Sequence, residues 1–439
     1  MSNSQHQDAV LERLFQLSKH GTNVKTELLA GVTTFLTMCY IMIINPIILS
    51  ETGMDHGAVF VATCLAAAIG CLVMGVVANY PIALAPGMGL NAYFASVCLG
   101  VMAVPWQTAL AAVFVSGVIF FIISFLKLRE HIVNSIPMSL KLAIGGGIGL
   151  FLAFIALQKS GVVVANQFTL VQMGDLKQAT VLYSLLGFLV IVILHHLRVK
   201  GAIIISILLV TLLSTLTGHN EFKGVVGEVP SLAPTFMQMD FEGLFNASMI
   251  GIIFVFFLVD LFDSTGTLVG VSHRAGLLQD GKLPRLKRAL FADSSAIVAG
   301  AAFGTSSTTP YIESASGVAA GGRTGLTAVV VAVLFLVGLF FSPLAMSIPG
   351  FAVAPALLFI AILMIQGILN IDWEDITEAA PAFLTLVFMP LTYSIADGIA
   401  MGFISYAVIK LFTGKAKTVP YMVWIIAIIW AIKFFVYGG

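Results

Sequence analysis

The chain has 439 residues, of which 59% are hydrophobic and only 10% charged, and its 21 Lys plus Arg are balanced by 21 Asp plus Glu; mean hydropathy is +1.04. So little polar material cannot keep a chain of this length dissolved in water, and with no basic excess there is nothing to attract nucleic acid. The medium that remains is lipid, where an open-ended backbone must be helical to satisfy its own hydrogen bonds.

Residues 1–26 are polar and mixed in charge, with no cleavable signal ahead of the first apolar run, and read as a short cytoplasmic lead. Apolar runs then predict helices near 28–49, 58–78, 88–103, 106–126, 140–158, 180–197 and 201–218. A polar connector follows, and further runs lie near 246–271, 289–303, 313–322, 324–345, 352–370, 381–395, 397–412 and 419–437. That is one run more than a seven-plus-seven arrangement needs, and the surplus 419–437 is either an extra span or a helix lying against the bundle. Cys39, Cys64, Cys71 and Cys98 all sit in apolar stretches without metal-type spacing and read as small buried hydrophobes.

Basic residues set the orientation, because short cytoplasmic loops are rich in Lys and Arg. Lys127, Arg129 and Lys141 flank the loop after the fourth run, Arg198 and Lys200 follow the sixth, and Arg274, Lys282, Arg285, Lys287 and Arg288 follow the eighth. All three loops then share the N-terminal side, while the connector 219–245 carries Glu221, Glu228, Asp240 and Glu242 against one lysine, as an external loop can. Seven segments per half invert the second half relative to the first. One loop dissents: 371–380, with Asp372, Glu374, Asp375 and Glu378, is acidic on the expected cytoplasmic side.

Two hydrophobic segments at matching places in the halves are interrupted, the signature of a binding site at the repeat interface. They are VANYPIALAPGMGLNAYFA, from Val77 to Ala95, and FGTSSTTPYIESASGVAAGG, from Phe303 to Gly322. In each, a polar or Pro-bearing stretch precedes a short run of small residues, so each is expected to begin as a short strand and end as a half-helix. Ionisable residues at this depth are costly and therefore candidates for function. Asp260 and Asp263 lie three apart in GIIFVFFLVDLFDSTGTLVG, where one can serve as a structural hydrogen-bond acceptor. Glu313 starts the second half-helix, near unpaired backbone N–H groups, and Asn91 holds the corresponding place in the first, with an amide that offers both donor and acceptor. Asp397 sits at a helix end. The glycines of IGGGIG, 144–149, lack the Lys-Ser/Thr pair of a phosphate loop and read as close helix packing.

ELLAGVTTFLTMCYI (27–41), APGMGLNAYF (85–94), LFDSTGTLVGV (261–271) and TPYIESASGVAAGGRTGLTA (309–328) resemble the motifs of the nucleobase:cation symporter-2, or nucleobase–ascorbate transporter, superfamily, and within it the Azg-like purine permeases. The resemblance runs nearly end to end. It implies an all-α polytopic protein of about fourteen segments in a seven-plus-seven inverted repeat, with strand and half-helix elements in segments three and ten. A core domain would comprise 27–126 and 246–345, and a gate domain 127–245 and 346–439, the latter including the C-terminal helix. It implies a multi-pass protein of the bacterial inner membrane with a cytoplasmic N-terminus, homodimeric through the gate domain, that imports purine nucleobases with protons and uses no metal or organic cofactor. By the same resemblance Asp263 and Glu313 grip the base, Tyr311 lines the pocket and Asn91 is the branch's characteristic amide; Phe262 is a candidate to stack on the ring. The uracil-type members carry a histidine one helical turn after the first carboxylate, where this chain has Thr267, so proton coupling is expected to rest on Asp263, with Glu313 as second candidate. An anion transporter or exchanger of the same fold and an uncoupled nucleobase facilitator are the alternatives. An intramembrane aspartyl protease lacks its second aspartate, because the partner position holds Glu313 and no Gly-x-Gly-Asp motif occurs.

Overall fold

A computed structural model describes residues 10–100, 103–125, 135–245, 247–277 and 283–437. Lys127, Arg129 and Lys282 lie outside them. Among the described residues, nine helical stretches are long and apolar enough to cross a membrane, and four shorter apolar helices accompany them. The chain is a multi-pass membrane protein.

The helices run α1 Val24–Met38, α2 Ile41–Ser50, α3 His56–Val73, α4 Met88–Leu99, α5 Trp106–Phe125, α6 Met138–Lys159, α7 Ala179–His196 and α8 Ala202–Leu216. After the connector come α9 Ala247–Arg274, α10 Leu286–Phe303, α11 Ser314–Ala319, α12 Gly325–Gly338, α13 Ser342–Met346, α14 Gly350–Ile365, α15 Ile376–Leu391, α16 Ile395–Phe412 and α17 Tyr421–Tyr437. Short strands β1 Leu84–Pro86 and β4 Thr308–Pro310 precede α4 and α11, and an exposed hairpin of β2 Val163–Asn166 and β3 Leu170–Met173 follows α6.

Three boundaries differ from the sequence reading. The run at 28–49 is two helices, broken at Cys39–Tyr40. The helix expected to start at Pro381 starts at Ile376, because the Asp375 side chain accepts from Thr377 N at 2.9 Å and caps it; Pro381 and Pro390 are carried inside the helix. The hairpin at 163–173 left no apolar alternation to detect, since most of its side chains are exposed.

The helices pack as two sets. In one, α10 lies on α3 and α5, α12 on α1 and α3, and α11 on α1; in the other, α6 lies on α14 and α15, α7 on α8 and α14, and α16 on α15 and α17. Glycine permits the closest approaches. A Cβ on Gly325 would stand 1.9 Å from the Gly75 carbonyl oxygen, and in IGGGIG a Cβ on Gly146 or Gly147 would meet Ile368 at 2.4 Å or Met389 at 2.5 Å. The glycine run thus serves helix packing, as its sequence context indicates.

The α12 N-terminus is capped by two side chains from elsewhere in the chain, one in α1 and one just past the helical residues that follow α3. The carboxylate of fully buried Glu27 accepts from Arg323 N at 2.9 Å, Thr327 N at 3.2 Å and Thr327 Oγ1 at 2.5 Å. Asn79, with φ of 52°, accepts from Gly325 N at 2.6 Å. A negative side chain at a helix N-terminus meets both the unpaired N–H groups and the favourable end of the dipole. Two of the four acids in the loop 371–380 are paired with neighbours: Glu378 with Lys410 at 2.5 Å and Asp375 with Lys415 at 2.9 Å. The Lys415 ammonium and the Thr377 side chain hold the Asp375 carboxyl below the usual carboxylate range.

Gly325→Ala is expected to destabilise the purified protein by about 3 kcal/mol or more, because the clash is with backbone that cannot rotate away. Gly145→Ala, which meets nothing within 4 Å, should be neutral or raise stability by up to ~1 kcal/mol. Thermal unfolding midpoints in detergent compare the two.

Candidate functional site

The site begins with a backbone problem: strands at membrane depth have no water to bond. β1 and β4 solve it by pairing antiparallel, Leu84 opposite Pro310, Ala85 opposite Thr309 and Pro86 opposite Thr308. Gly87 N to Ser307 O at 2.9 Å and Tyr311 N to Ala83 O at 2.9 Å continue the ladder, and Ser314 Oγ accepts from Ala83 N at 3.0 Å. Both prolines stand at strand ends, where a missing N–H costs least. The interrupted segments from the two halves are thereby joined into one element, and α4 and α11 start directly behind it.

Long α9 crosses this joint. Asp260 and Asp263, nearly one turn apart, both address β4 and the residues before it. Asp260 is fully buried and accepts from Ser307 Oγ at 2.6 Å, the structural role its spacing allows. Asp263 faces Thr309 and is half-buried, as is Glu313. The two carboxylates thus flank β4, one from α9 and one from the residue that starts α11. Glu313 occupies the N-cap position of α11 without capping it: its carboxylate accepts instead from the Tyr40 hydroxyl. Tyr40 stands in the break between α1 and α2 and is buried.

The other candidates are placed as follows. Asn91, fully buried, accepts at Oδ1 from Ser306 Oγ, while its Nδ2 approaches the Met88 sulfur at 3.9 Å. Its amide ties α4 to the run before β4 and keeps donor capacity on nitrogen. The Tyr311 hydroxyl donates to Pro86 O at 2.6 Å and clamps the two broken segments together, and the residue is buried. Phe262 is half-buried against the apolar core, adjacent in sequence to Asp263 and so turned to a different side of α9. Asp397 lies in the first turn of α16, where its backbone N donates to Ser394 Oγ at 3.2 Å.

Three contributors escaped the sequence reading. Tyr40 lies inside an apolar run with nothing local to mark it. Ser306 and Ser307 belong to GTSSTTP, whose hydroxyls are distributed one by one: Thr305 accepts from Asn45 Nδ2 at 2.7 Å, Ser306 serves Asn91 and Ser307 serves Asp260. Such a polar run at membrane depth is a signal, since each hydroxyl there needs a partner. On α9 the residues Asp263, Gly266, Val269, Gly270, His273 and Arg274 are half-buried or exposed, whereas Ser264, Leu268, Val271 and Ser272 are buried. One face of α9 is thus a track, from Asp263 to the helix end, that the rest of the protein leaves uncovered. Among the described residues no group of His, Cys, Asp and Glu is arranged to hold a metal ion.

Comparison with known proteins places this architecture. Residues 25–401 match the Permease family (Xan_ur_permease). The chain is 48% identical to the adenine permease AdeP of Escherichia coli K12, over 97% of this chain and 96% of that one. It is 47% identical to the guanine/hypoxanthine permease PbuG of Bacillus subtilis strain 168, covering 93% and 96%. Among solved structures it resembles the transmembrane domain of the cyanobacterial bicarbonate transporter BicA, with a TM-score of 0.65 at 16% identity over 87% of this chain and 97% of that one. It also resembles SLC26A9, with a TM-score of 0.66 at 12% identity over 94% and 70%. At such identities the likeness is one of fold.

Ser307→Ala removes a donor from the buried Asp260 carboxylate and is expected to lower stability by about 1–3 kcal/mol. Thermal unfolding in detergent would show this as a lowered midpoint; an unchanged midpoint would mean that Ser307 does not help fasten α9 to β4.

Proposed function

Because the chain belongs to the Permease family, we propose that it is a proton-coupled symporter that imports purine nucleobases across the bacterial inner membrane, with its N-terminus in the cytoplasm. The observation that carries this reading is the pair of half-buried carboxylates that flank β4 at the joint, Asp263 on α9 facing Thr309 and Glu313 three residues past Pro310. The relatives named adenine and guanine/hypoxanthine permeases indicate which heterocycles fit it: adenine, hypoxanthine and guanine. A neutral purine displays alternating donors and acceptors, which an ionised carboxylate, a protonated one and a hydroxyl or amide can satisfy together. Two carboxylates would repel an anion, so the fold shared with a bicarbonate transporter does not extend to that cargo.

The helix set α1–α5 with α9–α13 is the core domain in this reading, and α6–α8 with α14–α16 the gate, which also supplies a homodimer contact. The full scheme is the seven-plus-seven inverted repeat, with α17 as an appendage on α16. Asp263 carries the proton. Glu313 already holds the Tyr40 hydroxyl, whereas Asp263, which meets the Thr309 side chain, stands on α9 ahead of the exposed Gly266 and Gly270, along which a proton can arrive and leave with each cycle. Proton and base bind together from outside, the core shifts against the gate, and both are released inside. Water on the track accepts the proton.

Uptake of radiolabelled adenine, hypoxanthine, guanine, xanthine and uracil, in cells lacking their own permeases, tests the proposal. Purine uptake should collapse with a protonophore, and Asp263→Asn should lower it by an order of magnitude or more, the scale of losing a charged hydrogen bond. Uptake insensitive to the protonophore would return the uncoupled facilitator. Transport of anions in place of purines would return the anion carrier.

A further inference from the structure

We infer that the ion pair between Glu51 and Lys159 is a latch that shuts the outer side of the substrate path, so that this conformation is closed to the outside and open to the cytoplasm. The inference rests on the symporter reading for its sidedness: a chain that starts in the cytoplasm and crosses through α1 and α2 brings Glu51 to the outer face.

Glu51 ends α2, in the core set, and Lys159 ends α6, in the gate set. Their side chains meet at 2.6 Å. The other ion pairs among the described residues, Lys410–Glu378 and Lys415–Asp375, both lie within the gate set, so this pair alone among them bridges the two bodies that alternating access must separate. Directly beneath it is a crevice lined by Ala92, Ala95 and Ser96 of α4, by Leu152 of α6, and by Tyr393. Its volume of about 20 Å³ has room for one water and none for a purine ring. The crevice thus follows the half-helix that carries Asn91 and is pinched closed at its mouth. Tyr393, in the link between α15 and α16, has φ of 55°, an uncommon conformation for a residue with a side chain, and its ring packs edge-on against Phe151 at 5.2 Å. This contact holds Tyr393 to α6 within the gate set, so that its side chain forms the gate-side wall of the crevice.

Towards the other end, the face of α9 from Asp263 through Gly266 and Gly270 to Arg274 is left uncovered by the rest of the protein, and a Cβ on either glycine would meet nothing within 4 Å. There the two sets meet through Lys200 Nζ, which donates to Thr33 Oγ1 of α1 at 3.3 Å. Alternating access needs one side reachable while the other is shut, so a shut outer side assigns access to the α9 side. The Glu51 side chain is 44% exposed while the Lys159 Nζ is buried; parting the pair returns the ammonium to water and so can be reversed, whereas a broad apolar seal would resist reopening.

The test uses a background in which the four native cysteines are replaced, carrying Ala95→Cys in the crevice or Val269→Cys on the track. A membrane-impermeant maleimide is applied to right-side-out and inside-out vesicles. With the latch intact, Ala95→Cys should label slowly from outside and Val269→Cys readily from inside. Glu51→Gln should speed outside labelling of Ala95→Cys about fivefold or more and slow inside labelling of Val269→Cys, as the outward-open population rises. The charge swap E51K with K159E should restore the original pattern. Size-exclusion profiles identify misfolded variants, and Lys159→Gln provides a second way to break the pair. Unchanged labelling in both single variants, or failure of a well-folded swap to restore slow labelling, would overturn the latch. Because labelling is independent of cargo, these outcomes are separate from any failure of purine uptake, which would instead sink the symporter reading.

Discussion

Backbone at the middle of a bilayer has no water to bond, and the arrangement around Asp263 and Glu313 depends on how this chain meets that constraint. The two interrupted segments cannot each satisfy their own N–H and C=O groups, so β1 and β4 satisfy each other's. That pairing fixes where α4 and α11 start, and therefore where Asn91 and Glu313 stand. It also lays out the hydroxyls of 305–309 along the joint for Asn45, Asn91 and the two aspartates of α9. Tyr311, bonding Pro86, and Ser314, accepting from Ala83, close the joint from its second half. The site is thus a by-product of a hydrogen-bonding requirement as much as an assembly of selected side chains.

Within that frame the polar residues divide by accessibility. Asp260, Asn45 and Glu27 are fully buried and hold the core helices to one another. Asp263 and Glu313 are half-buried. A buried carboxylate that accepts from fixed donors is structural, while a carboxylate that keeps a route to water can exchange protons and partners. Membership of a fold shared with BicA and SLC26A9 does not make this distinction; the groups presented at the joint do.

Much of this was legible in the sequence because lipid imposes strong patterns. The long apolar runs, the two Pro- and Gly-broken segments and the isolated Asp263 and Glu313 were visible, since nothing polar is tolerated at that depth without reason. The break at Tyr40 was not, because Cys39 and Tyr40 interrupt the helix without Pro or Gly, and the partner that explains Tyr40 lies in the other half of the chain. Glu27 was hidden for a similar reason: it looks like a charge at a helix entrance and caps a different helix, α12. The early start of α15 was obscured by Pro381, which the helix accommodates once Asp375 has capped it. In each case the missing information was a long-range contact.

The central claim is that a purine is held at the β1–β4 joint by Asp263 and Glu313. Its most direct test is an experimental structure of the purified protein with adenine bound, at a resolution that orients the ring. The account predicts adenine between α9 and the start of α11, with its polar edge within hydrogen-bond distance of both carboxylates and the backbone pairing of β1 with β4 intact. Adenine bound elsewhere, or at the joint but contacting neither carboxylate, would contradict it.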